Sequence, residues 1–170
     1  MPSSPNPWIF AGLASALPNI EPSPTDPSHT GSLRTKIRDT SSDSADLPPP
    51  CKIIRTSLPI AELSADEAQN SIGLEQQVLV FRYRSKIHAV DHACPHRTYP
   101  LSRGTLYDIE DFGIVLSAGI TCPKHGWAFD IHTGRSDRGT YQLGVWEVDM
   151  REGEGGEGVW VRRKVKPRIG

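Results

Sequence analysis

Two short stretches of the chain carry residues that bind metals: Cys94-Pro95-His96 and Cys122-Pro123-Lys124-His125. Each offers one thiolate and one imidazole from a tight, proline-containing loop that follows a β-rich run. Thiolate with imidazole is a donor set for soft to borderline metals. Two Cys and two His suit either a tetrahedral structural zinc or a [2Fe–2S] cluster. Zinc fingers usually pair Cys with Cys and His with His at short spacing. Here each loop mixes the two, and residues 97 to 121 separate the loops. That stretch is long enough for a hairpin bringing both loops to one end of a sheet.

The elements that must position these loops read as short strands. Lys52 to Ser57 is the first, followed by a helical turn around Ala61 to Ala68. Val78 to Arg84 and Lys86 to Asp91 form β-rich runs on either side of a polar kink, the pattern of a hairpin. Ile114 to Leu116 and Ile120 to Cys122 flank Ser117-Ala118-Gly119, which reads as a second tight turn. Ala128 to Ile131 leads into a third turn at His132-Thr133-Gly134. Trp146, Val148 and Met150 alternate with Glu147 and Asp149, giving one buried and one wet face. Residues 151 to 158 read as a flexible glycine-rich hairpin loop, and Val159 to Arg163 returns as the last strand. Many short strands with tight turns and no βαβ alternation predict an all-β antiparallel sandwich or small barrel.

At 170 residues the chain has room for one domain with a core of ordinary size. Residues 1 to 50 are rich in Pro, Ser, Thr and Asp, a composition that buries too little apolar surface to offset its ordering entropy. The expected organisation is a disordered tail over 1–50, a folded domain over 51–164 and a C-terminal tail over 165–170. Within the first segment Trp8-Ile9-Phe10-Ala11-Gly12-Leu13 is an apolar island, which either folds back onto the domain or docks on a partner. Net charge is −1, and no basic stripe with interleaved aromatics appears, which speaks against nucleic acid as a partner. Arg162-Arg163-Lys164 reads as a solvated basic tail. No apolar run reaches the ~20 residues of a membrane span. Ala14-Ser15-Ala16 resembles a signal cleavage site, yet the segment before it has three prolines and no Lys or Arg. A cytoplasmic protein is expected. Three cysteines are too few for a disulfide framework, and metal chemistry in a reducing compartment accounts better for Cys94 and Cys122. Cys51 reads as a small half-buried hydrophobe.

The two motifs resemble those of the Rieske iron–sulfur proteins, above all the soluble Rieske ferredoxins and the Rieske domain of ring-hydroxylating oxygenases. The likeness extends past the four donors. Cys94-Pro95-His96-Arg97, Pro100-Leu101-Ser102, Gly104 and Leu106 follow the family's first loop. Cys122-Pro123-Lys124-His125-Gly126-Trp127, Phe129-Asp130 and Thr133-Gly134 follow the second. The resemblance implies a Rieske fold with two cluster-binding loops and one [2Fe–2S] cluster per chain. Cys94 and Cys122 would hold the inner iron, and His96 and His125 the outer one that accepts the electron. Thr98-Tyr99 departs from the small Gly-Ala pair usual after the first His, and a longer hairpin runs through Tyr107 to Phe112. Asp137 to Leu143 stands where many relatives carry a proline-rich loop over the cluster. High-potential Rieske proteins have a Ser and a Tyr whose hydroxyls bond the cluster and cysteine sulfurs; this chain has Trp127 and Phe129 in those places, which implies a lower potential.

The resemblance implies one-electron transfer, as a ferredoxin-like carrier or a small subunit between an upstream reductase and a downstream oxygenase or reductase. The alternative is a cluster- or zinc-stabilised interaction or sensor module. After His125 the one further histidine is His132, so a second, catalytic iron site cannot be assembled, and no glycine-rich dinucleotide fingerprint is present. An electron-transfer component is therefore expected rather than a stand-alone catalyst. His29, His88 and His132 read as tail or surface residues, and His92 as structural. Trp127 and Phe129 are expected to pack beneath the cluster, with Arg97 and Tyr99 on the rim.

Overall fold

The computed structural model describes residues 7–17, 19–20, 30–32, 51–57, 60–63, 73–96, 98–112, 114–122, 124, 126–137 and 139–164. Among them are twelve strands and three single 3-10 turns. The strands are β1 (Ile9–Leu13), β2 (Asn19–Ile20), β3 (Thr30–Ser32), β4 (Cys51–Arg55), β5 (Ala61–Leu63), β6 (Gln77–Tyr83), β7 (Lys86–Asp91), β8 (Thr105–Asp111), β9 (Ile114–Thr121), β10 (Ala128–Asp130), β11 (Trp146–Gly153) and β12 (Gly156–Arg163). The all-β expectation holds. No helix among the described residues is long and apolar enough to cross a membrane.

The strands form three sheets. A central five-stranded sheet runs β2-β6-β4-β5 with β7 on β6; a four-stranded sheet runs β10-β9-β8-β3; a three-stranded sheet runs β1-β12-β11. Strand β6 explains the arrangement. Its run Gln77-Val78-Leu79-Val80-Phe81 is buried throughout, because alternate side chains enter two different cores. Leu79, Phe81 and Tyr83 join Cys51, Ile53, Leu106, Ile120 and Phe129 in a core against the β8–β9–β10 sheet. Val78 and Val80 join Ile54, Trp146, Val159 and Val161 in a second core against the β11–β12 sheet.

The second core is completed from the N-terminal segment. Ile9, Ala11, Ala14 and Leu17 are all buried in it, and β1 pairs antiparallel with β12 from Ile9↔Val161 to Leu13↔Gly158. Arg82 donates to the carbonyls of Leu17 (3.2 Å) and Ala14 (2.9 Å), capping the 3-10 turn Ala14–Ala16. Strand β2 then pairs in parallel with the end of β6, just beyond its pairing with β4. Of the two fates open to the Trp8–Leu13 island, fold-back is the one the structure shows. The folded unit thus draws on residues ahead of Cys51, where the sequence placed its start. Residues 1–6, 18, 21–29, 33–50 and 165–170 of the expected tails lie outside the described residues.

Four local expectations are corrected. Ala61–Leu63 is a strand on β4, registered Ile53↔Leu63 to Arg55↔Ala61, where a helical turn was expected; pairing outweighs the helix-forming composition. Ser117-Ala118-Gly119 lies inside β9 and is not a turn. Gly119 sits opposite Tyr107, whose ring occupies the space a Cβ would need, so the glycine marks a close approach. Residues 151 to 158 are mostly ladder, with β11 and β12 closing on Gly153↔Gly156 around a two-residue turn. Met150, expected on a buried face, is exposed at 38%.

The β6–β7 hairpin closes on Arg84 and Ser85, both left-handed at φ 48° and 66°. Such turns favour Asn-Gly, so these two residues need outside support. It comes from β2: the Ser85 N–H donates to Asn19 Oδ1 (2.7 Å) and the Arg84 N–H to the Ile20 carbonyl (3.0 Å). Arg84 also forks onto Asp108, which accepts from the Tyr83 hydroxyl at 2.8 Å.

Candidate metal centre

The two loops that carry the sequence motifs are built on one backbone pattern. In the first, the Cys94 N–H donates to the Tyr99 carbonyl (2.9 Å) and the Thr98 N–H donates to the Cys94 carbonyl (2.7 Å). In the second, Cys122 N–H donates to the Trp127 carbonyl (2.7 Å) and Gly126 N–H to the Cys122 carbonyl (3.0 Å). Both clasps close on the same relative positions. In each, the residue before the closing one is left-handed: Thr98 at φ 53° and Gly126 at φ 72°. The sequence shows a glycine at one of these places and hides the other behind a threonine.

Matched clasps put the two cysteines in equivalent settings. Cys94 (1% exposed) and Cys122 (2%) lie in the same core, at the inner ends of their loops. His96 is half-buried and further out. His125 and Arg97 lie outside the described residues. Among the described residues no three His, Cys, Asp or Glu side chains gather closely enough to hold a metal ion by themselves.

Side chains cross from one loop to the other. The His96 imidazole stacks on the Trp127 indole, with centroids 4.1 Å apart and planes 12° from parallel. Lys124 reaches over the Tyr99 ring at 5.8 Å. A third loop closes the group. The Tyr141 ring stands edge-on to both members of the stack, 5.4 Å from His96 and 5.4 Å from Trp127, at 75° and 76°. Tyr141 was not singled out in the sequence. Its only signal was an aromatic side chain in the stretch that replaces a proline-rich loop.

Beneath the first loop lies His92, fully buried. Its Nδ1 donates to Gln77 Oε1 and its Nε2 accepts from the Ser102 hydroxyl, both at 2.8 Å. Burial pushes its pKa down to about 4, so the ring is neutral and structural. Its backbone N–H donates to the Gln77 carbonyl, and its carbonyl accepts from Leu101 N–H, tying the loop to β6. Phe129 is fully buried below the second loop. Cys51 is buried too, its thiol pushed up to about 12 by desolvation, an inert core residue.

The family model described as the Rieske [2Fe-2S] domain matches residues 56–145. The chain belongs to this family. The match closes the choice between zinc and an iron–sulfur centre: the cofactor of the Rieske domain here is one [2Fe–2S] cluster. Ferredoxin CarAc of Metapseudomonas resinovorans is 39% identical over 77 residues, 44% of this chain and 64% of that protein. The methanesulfonate monooxygenase ferredoxin subunit of Methylosulfonomonas methylovora is 32% identical over 72 residues, 40% of this chain and 52% of that protein. The chain thus spans less than two thirds of the length of either relative. Among solved structures, the complex of reduced oxygenase and oxidized ferredoxin in carbazole 1,9a-dioxygenase is 32% identical, covers 57% of this chain and 81% of that chain, and has a TM-score of 0.42. The Rieske match stops at residue 145 and begins at 56, so the β1–β12–β11 sheet lies outside it.

Proposed function

We propose that this Rieske domain passes single electrons between redox proteins, with Cys94, His96, Cys122 and His125 as the ligands of its cluster. The observation that carries the assignment is the pair of matched clasps, each opening on a buried cysteine and each containing one of the motif histidines. Two thiolates and two imidazoles are the donor set of a Rieske centre. When bound, the cluster takes up and releases one electron.

The chain's own residues set the conditions for that chemistry. Cys94 and Cys122 sit in a dry core, which keeps water from the inner side. His96 reaches towards the surface, where a partner can approach. Trp127 and the fully buried Phe129 line the second loop with apolar surface and supply no hydroxyl. The family and the ferredoxin names of the relatives support a carrier or small-subunit role, fed by a reductase and serving an oxygenase or reductase. The cluster domain is proposed to span 51–164, with β1 and β2 as an added strap. Two ligand thiolates favour a reducing compartment such as the cytoplasm.

The test is iron and acid-labile sulfide analysis of protein purified without air, together with reduction and reoxidation followed by EPR. Two irons, two sulfides and a reversible one-electron signal are expected. Cys94→Ser and Cys122→Ser should abolish incorporation, and His96 or His125 replacements should weaken it. A Cys variant that kept both irons would disprove the ligand set.

A further inference from the structure

We infer that Tyr141 is a positioning residue for His96, closing the open edge of the His96–Trp127 stack. The inference rests on the ligand assignment proposed above. Trp127 covers one face of the imidazole, and a contact at the edge of the stack restricts sliding and turning that a face contact resists weakly. Tyr141 meets both stacked rings at the same distance, 5.4 Å, and stands nearly perpendicular to each. Aromatic edges carry partial positive charge and faces negative, so perpendicular contacts at this distance are attractive as well as space-filling.

The loop that bears Tyr141 is anchored at both ends. Asp137 N–H donates to the Ala128 carbonyl (2.9 Å), and Asp137 Oδ1 accepts from Ala128 N–H (3.1 Å). On the far side, Leu143 N–H donates to the Gly134 carbonyl (2.8 Å), and Gln142 Nε2 donates to the Thr133 carbonyl (3.1 Å). Between these anchors Gly139 turns the chain left-handed at φ 64°, passing beside the rim of Trp127. The backbone therefore delivers the Tyr141 ring to the stack. A tyrosine serving only as a surface residue has no need of this geometry, and Tyr141 is still 44% exposed on its outer side. Its ring does for the first-loop ligand what a hydrogen-bonded second layer does for many metal-bound histidines: it limits the orientations the imidazole can take.

The test uses the full cluster-bearing chain with Tyr141→Ala, Tyr141→Phe and Gln142→Ala. Each is mixed with an iron chelator without air, bleaching is followed in the visible spectrum, and midpoint potentials are measured alongside. Tyr141→Ala should release its cluster about tenfold faster than the parent and shift its potential, the loss expected when two edge contacts go. Tyr141→Phe keeps the ring and should stay within about twofold, with the potential unchanged. Gln142→Ala removes one of the anchors that deliver the ring and should bleach faster than the parent but no faster than Tyr141→Ala. Parental bleaching by Tyr141→Ala would overturn the inference, as would equally fast bleaching by Tyr141→Phe, or bleaching of Gln142→Ala faster than that of Tyr141→Ala. A parent chain lacking two irons and two sulfides would instead overturn the ligand assignment.

Discussion

Thr98 and Gly126 hold the same place in the two clasps, both left-handed, and this permits a paired prediction with opposite signs. A left-handed L-residue costs about 1–2 kcal/mol, and a β-branched one is a marked outlier there. Thr98 is exposed, so its side chain is not buried in compensation. Thr98→Gly removes that strain and adds unfolded-chain entropy worth roughly 0.5–1 kcal/mol. The net should be a stabilisation of about 0.5–1 kcal/mol. Gly126→Ala runs the other way. Among the described residues a Cβ at Gly126 meets nothing within 4 Å, so the backbone preference should dominate the result. Strain of about 1–2 kcal/mol, less the 0.4–1 kcal/mol gained by stiffening the unfolded chain, leaves a loss of roughly 0.5–1 kcal/mol. For a domain of this size each kcal/mol moves the thermal midpoint by a few degrees, about 2–8 °C. Melting followed by far-ultraviolet circular dichroism on anaerobically purified protein, with iron content matched, would measure both shifts. If Thr98→Gly melts below the parent, or both variants move in the same direction, the matched-clasp reasoning fails.

Three further outcomes are expected. Removing residues 1–20 exposes the second core where Ile9 and Leu17 are now buried; at roughly 1.5–3 kcal/mol for each large aliphatic side chain the loss should be several kcal/mol, and denaturant titration would detect it, whereas Asn19→Ala should cost less. His88 is held down to about 4 by burial, then by His132 and Lys86. Its unfolded form takes a proton near 6.5, so stability contributed above 6.5 should drain away as pH falls towards 4, and His88→Phe should flatten that part of a pH–stability curve; an unchanged curve would contradict it. With Trp127 and Phe129 in place of hydroxyl donors, the midpoint potential should lie in the lower part of the Rieske range of roughly −150 to +300 mV, and protein-film voltammetry returning a value near the top would show that hydroxyls are not the deciding feature.

What the sequence disclosed and what it withheld divide along the range of the interactions. The proposed donors Cys94, His96, Cys122 and His125 could be named from the sequence because motif chemistry and loop spacing are local. So could the hairpin spanning residues 78 to 91, confirmed in register from Val78↔Asp91 to Tyr83↔Lys86. The β1 strand was only half legible: its apolar character was plain, but its partner β12 lies near the other end of the sequence. Ser117-Ala118-Gly119 looked like a turn because a strand glycine needed for the Tyr107 ring has the same letters as a loop glycine. Tyr141 escaped notice for a similar reason, since nothing in residues 137 to 143 shows that two anchored ends deliver that ring to His96.

The pairing of β1 with β12 has a consequence for how the chain is made. Ile9 leaves the ribosome long before its partner Val161. Throughout synthesis the Trp8-Ile9-Phe10 stretch has no strand to join, while β6 and β7, neighbours in sequence, can pair early. The cluster side of the protein can therefore take shape on the nascent chain, and the β1–β12 sheet is completed only after translation has passed residue 161. A chain stalled before that point would leave Ile9 and Ala11, buried in the finished fold, open to chaperones or to other nascent chains.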